Sequence, residues 1–594
     1  MSFKPTIASS DAGFRQEPPS LPTNQYESNR VLQNILKRYL PTSVMNQVEP
    51  DLQRFGKVVV DECAPLAAKC EEPGNHPRLR QYDAWCRRVD DIILPDAWQK
   101  LHDIAAREGL VALAYERPHG EYSRLYQMAK QYLYMPYSAN VSCPLSMTDG
   151  AARIVELLGT PEMKSKYYRK LTSRDPSDFW TSGQWMTERA GGSDVGLSET
   201  IAELEDETNN VWSVKGFKWF SSATTADMTM LLARSVDPKT NKVIEGSKGL
   251  SLYLAELRKS DGSLNGVRVH RLKDKYGTKA LPTAELELVD MKATLLGKPG
   301  RGVPNITAIL NITRIYSVAG TLSGVTTALH VAKDFARKRT AFGKTLSMQP
   351  LHIETLVQLE LTHRALSQLC FYECLLLGRT ECSSQDSEER KYDAQTLRFI
   401  TPICKSYGCK VGHQAITESM EALGGQGYME DVGIARAVRD AQVNTIWEGT
   451  TNVLGLDVLR VLKETKGQAL MHFKEVILDK ISGNKDVAIL DDAAENISKA
   501  LDKVVDFVSN VKSRVEIEAS ARDLTFALGK ILAGALLHEQ ASWAVQSKLH
   551  DSEQDLIALS RWCDPAELYK DIPQRTDSKV LEDAKLVFGL DAKL

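Results

Sequence analysis

The sequence predicts a mainly helical protein with a central β domain. Helical periodicity fills the chain on both sides of residues 178–296, whereas that block contains short alternating apolar segments separated by turn residues such as Asp261 and Gly262. Strands gathered in one block cannot supply the alternating strand–helix order of a Rossmann fold. The order of elements therefore disfavours a nicotinamide enzyme, and no phosphate-binding P-loop motif is present.

Five segments are predicted along the 594 residues. They are an extended N-terminal arm over 1–30, a helical domain over 31–177, a β domain over 178–296, a helical bundle over 297–465 and an extra helical domain over 466–594. The arm lacks the apolar stretch of a signal peptide, and its acidic residues argue against a mitochondrial transit peptide. Residues 355–377 carry leucines at 3- and 7-residue steps, which is typical of a bundle helix.

Composition and charge exclude several classes of protein. Lys and Arg total 74 against 77 Asp and Glu, so the net charge of −3 provides no general field for polyanions. The longest apolar stretch, 527–537, is too short to cross a membrane. Ten cysteines include no C-x-x-C pair, and no metal site is predicted. We expect a soluble intracellular protein, cytoplasmic or peroxisomal, since Ala592-Lys593-Leu594 is close to the peroxisomal Ser-Lys-Leu address.

Three motifs carry the chemical information. The first, over 186–194, reads Met-Thr-Glu-Arg-Ala-Gly-Gly-Ser-Asp, and the second, over 421–428, reads Glu-Ala-Leu-Gly-Gly-Gln-Gly-Tyr. The third, over 446–450, reads Ile-Trp-Glu-Gly-Thr. In this order they resemble the motifs of the acyl-CoA dehydrogenase family, FAD enzymes that desaturate acyl-CoA thioesters. The resemblance covers residues 40–460 and departs from the family pattern at Trp185 and Leu197, where small residues are usual.

This resemblance implies an architecture and an assembly. The fold of the family is an N-terminal helical domain, a middle β-barrel or sandwich and a C-terminal four-helix bundle, which agrees with the predicted order of elements. The family resemblance also implies a homotetramer, a dimer of dimers with FAD at the subunit interfaces. The extra helical tail and the motif over 446–454 resemble the AidB-like, acyl-CoA dehydrogenase 11-type branch.

The resemblance further assigns residues to FAD. Trp219 would stack near the flavin ring, the alternative being a core aromatic residue, and Ser221 stands where the family often has a threonine that bonds flavin N5. Arg339 resembles the helix start that grips the FAD of a neighbouring subunit, and a guanidinium suits a pyrophosphate because it donates bidentate bonds. The remaining residues assigned to FAD are Met186, Thr187, Ser193, Phe342, Gln349, Glu421, Gly425, Thr450 and Asn452.

The same resemblance implies a catalytic base. Removal of a proton next to a thioester requires a base over the α-carbon and a polarised carbonyl. In the family this base lies in the Glu-Gly-Thr loop or directly before an arginine on a bundle helix, and here the second position is Thr313, before Arg314. Glu448 is therefore implied as the base, with the β-hydride passing to flavin N5, and Ile446 and Trp447 are expected to desolvate it. The implied substrate-binding set is Ser193, Arg314, Glu448 and Gly449.

The predicted function is desaturation of medium- to long-chain acyl-CoA in fatty-acid metabolism. Two alternatives stay open, an acyl-CoA-sequestering flavoprotein with little turnover and an AidB-like DNA-associated flavoprotein. Residues 461–594 carry 18 Lys and Arg against 23 Asp and Glu, a net of −5, so we expect no DNA binding from this region. The electron acceptor, an electron-transfer flavoprotein or oxygen, also stays open.

Overall fold

The predicted order of helices, sheet and helices is confirmed by the computed structural model. The structure describes residues 13, 16–384, 386–483, 487–574 and 576–589. Residues 1–12, 14 and 15 of the predicted arm and the C-terminal Ala592-Lys593-Leu594 lie outside the described residues. No helix of the described ranges has both the length and the apolar character that crossing a lipid bilayer requires.

The N-terminal part is helical. Helix α1 begins at an N-cap, since the Asn29 side chain accepts a hydrogen bond from the Leu32 amide, and α6 is buried on all sides. The α helices of this part are α1 Arg30–Tyr39, α2 Thr42–Val58, α3 Ala64–Glu71, α4 Asp96–Arg107, α5 Leu113–Glu116, α6 Ser123–Tyr134, α7 Ser142–Leu158, α8 Pro161–Met163 and α9 Arg169–Leu171.

A hairpin interrupts the N-terminal helices, where the sequence analysis had expected helices throughout. Strands β1 Arg78–Tyr82 and β2 Arg88–Ile93 pair antiparallel. The buried Asp90 carboxylate accepts from the Val269 amide at 3.0 Å, and the Arg88 guanidinium donates to the Val269 carbonyl at 2.9 Å. The hairpin therefore depends on contacts with the β domain almost 180 residues away, which no local pattern reveals.

The β domain is a closed barrel with two flanking strands. Its strands are β3 Ser182–Trp185, β4 Ile201–Asp206, β5 Val211–Ser222, β6 Met228–Ser235, β7 Leu250–Glu256, β8 Val267–Leu272 and β9 Thr283–Leu296. The sheet runs β3-β6-β4-β5-β9-β7, and an additional pairing of β6 with β7 closes it, while β8 pairs with β9. Closure leaves few open edges and encloses an apolar core that includes the fully buried Trp185.

The C-terminal part is a long helical bundle joined by a second group of helices. The bundle contains α10 Gly302–Lys338, α11 Pro350–Cys382, α12 Glu388–Glu421, α13 Ile434–Asn444 and α14 Thr451–Glu464, with short strands β10 Thr340–Ala341 and β11 Lys344–Thr345. The second group contains α15 Gln468–Lys480, α16 Ala488–Asn510, α17 Arg514–Ala519, α18 Ala521–Gln546, α19 Ser552–Trp562, α20 Pro565–Leu568 and α21 Asp577–Phe588. Helix α18 packs against α11, α12 and α14, so the second group continues the bundle.

Two contacts fix the β domain against the helices that carry the motifs. The Ser182 amide at the start of β3 donates to Thr148 Oγ1 of α7 at 3.0 Å. The Thr278 amide, in the loop between β8 and β9, donates to the Asp440 carboxylate of α13 at 2.5 Å. The edge of the barrel, α7 and the segment leading from α13 to α14 therefore lie close to one another.

Candidate functional site

The loop between α13 and α14 holds Glu448 in an unusual backbone conformation. Glu448 has φ +58° and Gly449 has φ +106°, so two successive residues lie in the left-handed region. For a non-glycine residue this conformation costs about 1–2 kcal/mol and persists only where the surroundings stabilise it. A Cβ at Gly449 would meet the Leu454 side chain at 2.9 Å, so glycine is required here for space as well as for conformation.

The Glu448 carboxylate contacts Thr313 of α10, the other position at which the resemblance places a catalytic base. Its Oε2 atom accepts a hydrogen bond from Thr313 Oγ1 at 2.7 Å. Burial raises the pKa of Glu448 above its ordinary value, while the Thr313 bond and the charges of Arg314 and Lys405 oppose that rise. Because Ile446 is 54% exposed, the expectation that it desolvates Glu448 does not hold within this chain.

Arg314 lies against the backbone of the same loop. Its Nε atom donates to the Glu448 carbonyl at 3.1 Å, and its Nη1 atom donates to Asp457 of α14 at 3.2 Å. Asp457 also accepts from Arg398 of α12 and from Arg460. One buried carboxylate therefore ties α10, α12 and α14 together, and Arg314 connects this cluster to the loop.

Lys405, which the sequence motifs do not predict, also contacts the loop. Its Nζ atom lies 2.7 Å from the Trp447 carbonyl oxygen and 2.6 Å from that of Gly449. Lys405 is 1% exposed and lies in α12, whose residues on either side are buried from 399 to 409. A single lysine within an otherwise uncharged helical stretch is the signal that could have identified it, since a buried ammonium needs partners.

The first motif lies at the edge of the barrel and is anchored by an ion pair that was also missed. The Glu188 carboxylate accepts from Lys218 Nζ at 2.7 Å, and both side chains are almost completely buried. Glu188 also accepts from the backbone amides of Glu199 and Thr200. The Trp219 amide donates to the Thr187 carbonyl at 2.9 Å, so this motif and the Trp219 segment are adjacent.

This edge of the barrel fits a bound flavin in its donor chemistry. Ser221 Oγ is buried and has no hydrogen-bond partner among the described residues, so its hydroxyl is available to a ligand atom. Met186 and Thr187 are partly buried, while Ser193 is exposed. The Trp219 ring carries the Lys273 ammonium 3.3 Å from its centroid, so one face of this ring already has a partner. The residues present at this edge therefore suit FAD.

Cys143 of α7 connects the barrel edge with the surroundings of Glu448. It packs against a small apolar cluster of Met147, Ala223 and Ala226, whose Ala223 comes two residues after Ser221. Burial raises the pKa of the Cys143 thiol to about 12, and the Glu448 charge adds to this rise. Cys143 thus packs against the segment that follows Ser221 and is influenced by the charge of Glu448.

A second set of predicted FAD residues lies away from the Glu448 loop and is called the Arg339 corner here: Arg339, Phe342, Gln349, Glu421 and Gly425. Thr313 and Lys338 are 25 residues apart on α10, a distance of about 38 Å along the helix axis. Arg339 follows Lys338 and donates to Gln16 Oε1 at 3.4 Å, and the Phe342 side chain is 99% exposed. Gln349, Glu421 and Gly425 lie near the corresponding ends of α11 and α12. The structure does not bring this corner to the Glu448 loop of the same chain.

The last two predicted residues lie at the start of α14. Thr450 is its N-cap, and its side chain accepts from the Val453 amide at 3.5 Å. Asn452, in the first turn of the helix, is exposed. Both follow the Glu448 loop directly, so they belong with the loop by position.

Four family models match consecutive parts of this chain. "Adaptive response protein AidB N-terminal domain" matches residues 15–176, and "Acyl-CoA dehydrogenase, middle domain" matches 183–291. "Acyl-CoA dehydrogenase, C-terminal domain" matches 300–463, and "Acyl-CoA dehydrogenase 11 C-terminal domain-like" matches 468–588. The first and last of these models are the ones that distinguish the AidB-like branch.

Individual proteins are similar over most of the length. "Acyl-CoA dehydrogenase family member 11" of Caenorhabditis elegans is 41% identical over 565 residues, 93% of this chain and 89% of that protein. "Putative acyl-CoA dehydrogenase AidB" of Escherichia coli is 32% identical over 66% of this chain and 70% of its own. The crystal structure of the C. elegans protein ACDH-11 in complex with C11-CoA superposes with a TM-score of 0.91 at 38% identity, covering 99% of both chains.

Proposed function

Because this chain belongs to the acyl-CoA dehydrogenase family, we propose that it desaturates medium- to long-chain acyl-CoA thioesters and that Glu448 removes the α-proton. The family consists of oxidoreductases whose cofactor is FAD. The observation that carries the proposal is the partly buried Glu448 carboxylate, which is bonded to Thr313 and lies in a loop whose Trp447, Glu448 and Gly449 carbonyls accept hydrogen bonds from Lys405 and Arg314.

In the proposed reaction Glu448 must begin as a carboxylate. It accepts the α-proton, and the electron pair of the broken α-C–H bond forms the C=C bond as the β-hydrogen departs with its own pair. When bound, FAD supplies the acceptor for that hydride. Burial brings the pKa of Glu448 closer to neutral pH, which makes the carboxylate a stronger base than an exposed glutamate. The Thr313 hydroxyl orients the carboxylate and must release it partly as the proton arrives.

Residues at the barrel edge would hold the flavin in the same chain as Glu448. Thr187 and Ser221 offer hydroxyl groups, Trp219 offers an aromatic face, and Met186 lies beside them. Ser193 would border the substrate or the flavin from the exposed loop. Backbone amides in this small-residue segment can approach a flavin closely because few side chains intervene.

The second set of FAD residues would serve a neighbouring subunit. Arg339 and Phe342 are about 38 Å along α10 from Thr313, so they cannot contact a flavin that lies beside Glu448 of their own chain. An aromatic ring that is 99% exposed is also a favourable surface to bury in an assembly. We therefore propose a homotetramer in which each corner completes the FAD site of a partner.

The proposed acyl chain length is supported by similarity to a protein whose ligand is known. The C. elegans protein that superposes over 99% of both chains was solved with C11-CoA. A ligand of this length in so similar a protein supports medium- to long-chain acyl-CoA as the substrate class here.

The test is anaerobic titration of the purified protein with saturated acyl-CoA from four to sixteen carbons. We expect a yellow protein with about one FAD per chain, and loss of the flavin colour on addition of medium- and long-chain acyl-CoA. Free CoA, which has no carbon chain to oxidise, is the matched control. Tight binding of acyl-CoA without loss of colour would support sequestration instead, and a colourless protein that FAD cannot reconstitute would refute the proposed function.

A further inference from the structure

Three consecutive carbonyl oxygens of the Glu448 loop each accept a hydrogen bond from a cationic side chain. The Trp447 and Gly449 carbonyls accept from Lys405 Nζ at 2.7 and 2.6 Å, and the Glu448 carbonyl between them accepts from Arg314 Nε at 3.1 Å. Lys405 thus bridges the two peptide groups that flank the left-handed residue. Rotation of Glu448 out of this conformation would have to break at least one of these bonds.

Lys405 has few other roles in the fold. Its hydrogen bonds are to these two loop carbonyls, and none of the ion pairs found among the described residues includes it. Placing an ammonium in a helix interior is unfavourable unless its donors are satisfied, and the donors of Lys405 are satisfied by the loop carbonyls and not by a directly paired carboxylate. The position is better explained by what the ammonium does to the loop.

Resting on the proposed function, we infer that Lys405 is a positioning residue that holds the Glu448 loop in the conformation needed for proton removal. It acts through the backbone on both sides of Glu448 and does not touch the substrate. Arg314 holds the middle carbonyl from α10, so the loop is fixed from two helices. With the backbone held in this way, the hydrogen bond from Thr313 sets the orientation of the Glu448 carboxylate.

The ammonium also changes the electrostatics of the base. Lys405 faces Glu448 of the loop, Arg314 of α10 and Cys409 of its own helix. Glu448 in turn faces Thr313 and Arg314 of α10, Lys405 of α12 and Cys143 of α7. The Lys405 charge opposes the burial-driven rise in the pKa of Glu448. Removal of that charge should therefore favour the protonated acid and move the acid limb of the rate profile to higher pH.

The test replaces Lys405 with residues that keep or lose the charge. We expect Lys405→Met to slow flavin reduction by acyl-CoA about 100-fold, because an error of about 1 Å in the position of a reacting group has this effect. Its acid limb should move to higher pH, while the affinity for free CoA stays unchanged. Lys405→Arg retains the charge and the donors, so it should recover part of the rate and keep the wild-type acid limb.

A matched control is Lys480→Met. Lys480 is also largely buried and donates to Glu539 at 2.8 Å, but it lies on α15 and does not contact the loop. We expect this variant to lower the melting temperature without changing the rate or the acid limb. Equal losses of rate in Lys405→Met and Lys480→Met, or a wild-type rate and profile in Lys405→Met, would overturn the inference.

Hydrogen exchange of the backbone amides over 446–452 provides a readout that does not need turnover. Exchange there should be faster in Lys405→Met than in the wild type and unchanged in Lys480→Met. If Lys405→Met fails to fold, Lys405→Gln, which keeps one neutral donor, should show the same faster exchange. Wild-type exchange in these variants would refute the positioning role, whereas a wild type that no acyl-CoA reduces would refute only the proposed function.

Discussion

The Glu448 loop and the Arg339 corner are built in opposite ways. In the loop, the Glu448 carboxylate and three successive carbonyls have hydrogen-bond partners within one chain. The corner is exposed, with the Phe342 ring 99% accessible and open space around Gly425. The proposed base is thus held by contacts within its own chain, whereas the residues proposed to serve a neighbouring subunit include the exposed Phe342 ring.

The physical reason for this difference is the cost of burying charge. A carboxylate, two cations and a left-handed backbone can be buried together only if each group is paired, and that pairing requires helices fixed by one folding core. The exposed Phe342 ring carries no charge and has no such requirement.

The largest expected effect is at the loop, from Glu448→Gln. Glutamine preserves the size of the side chain but cannot accept the α-proton, so reduction by acyl-CoA should fall about 10²- to 10⁴-fold. Acyl-CoA binding and FAD content should persist, which equilibrium titration and absorbance can measure. Reduction at the wild-type rate would remove Glu448 from its role as the base.

A smaller effect is expected at the corner, from Arg339→Ala. Loss of charge-assisted bonds to a pyrophosphate should weaken FAD retention about 10- to 100-fold. FAD per chain after gel filtration measures this, with Arg337→Ala as the control because Arg337 is an exposed neighbour on α10. Equal FAD loss in both variants would show that Arg339 has no specific contact, and the two regions would then no longer divide the work as proposed.

A third prediction sharpens the role of the loop's own hydrogen bonds. Thr313→Val removes the donor that stabilises the Glu448 carboxylate, so the pKa of Glu448 should rise further. Since the carboxylate is the active form, the acid limb of flavin reduction should move to higher pH by about one unit. Thr307→Val is the control, because the Thr307 hydroxyl bonds only to a carbonyl of its own helix. An acid limb that stays in place or moves to lower pH would contradict this assignment.

No DNA binding is expected from a third region, the helices α15 to α21. With a net charge of −5 over residues 461–594, the full-length protein should not bind duplex DNA at moderate salt. Titration of labelled duplex at low and moderate salt measures this, with a basic DNA-binding protein as positive control. Micromolar, salt-sensitive binding would refute the prediction and would favour the DNA-associated alternative.

Some helices could be predicted from the spacing of apolar residues along the chain alone. The leucine spacing over 355–377 predicted a bundle helix, and the structure has α11 Pro350–Cys382 there. The hairpin over Arg78–Ile93 was not predicted, since its strands are charged and are held by Asp90 and Arg88 against a strand distant in sequence.

By itself, the sequence determined the order of the three structural parts, the family and the identity of Glu448 as the candidate base, because these depend on motifs and periodicities a few residues long. Only the tertiary structure decided how that base is held. Lys405 and Arg314 are distant from Glu448 in sequence, and Glu188 pairs with Lys218 of β5, 30 residues further along the chain. Buried charges choose partners by proximity in the folded chain, and this proximity is set by helix and strand packing that no spacing along the sequence records.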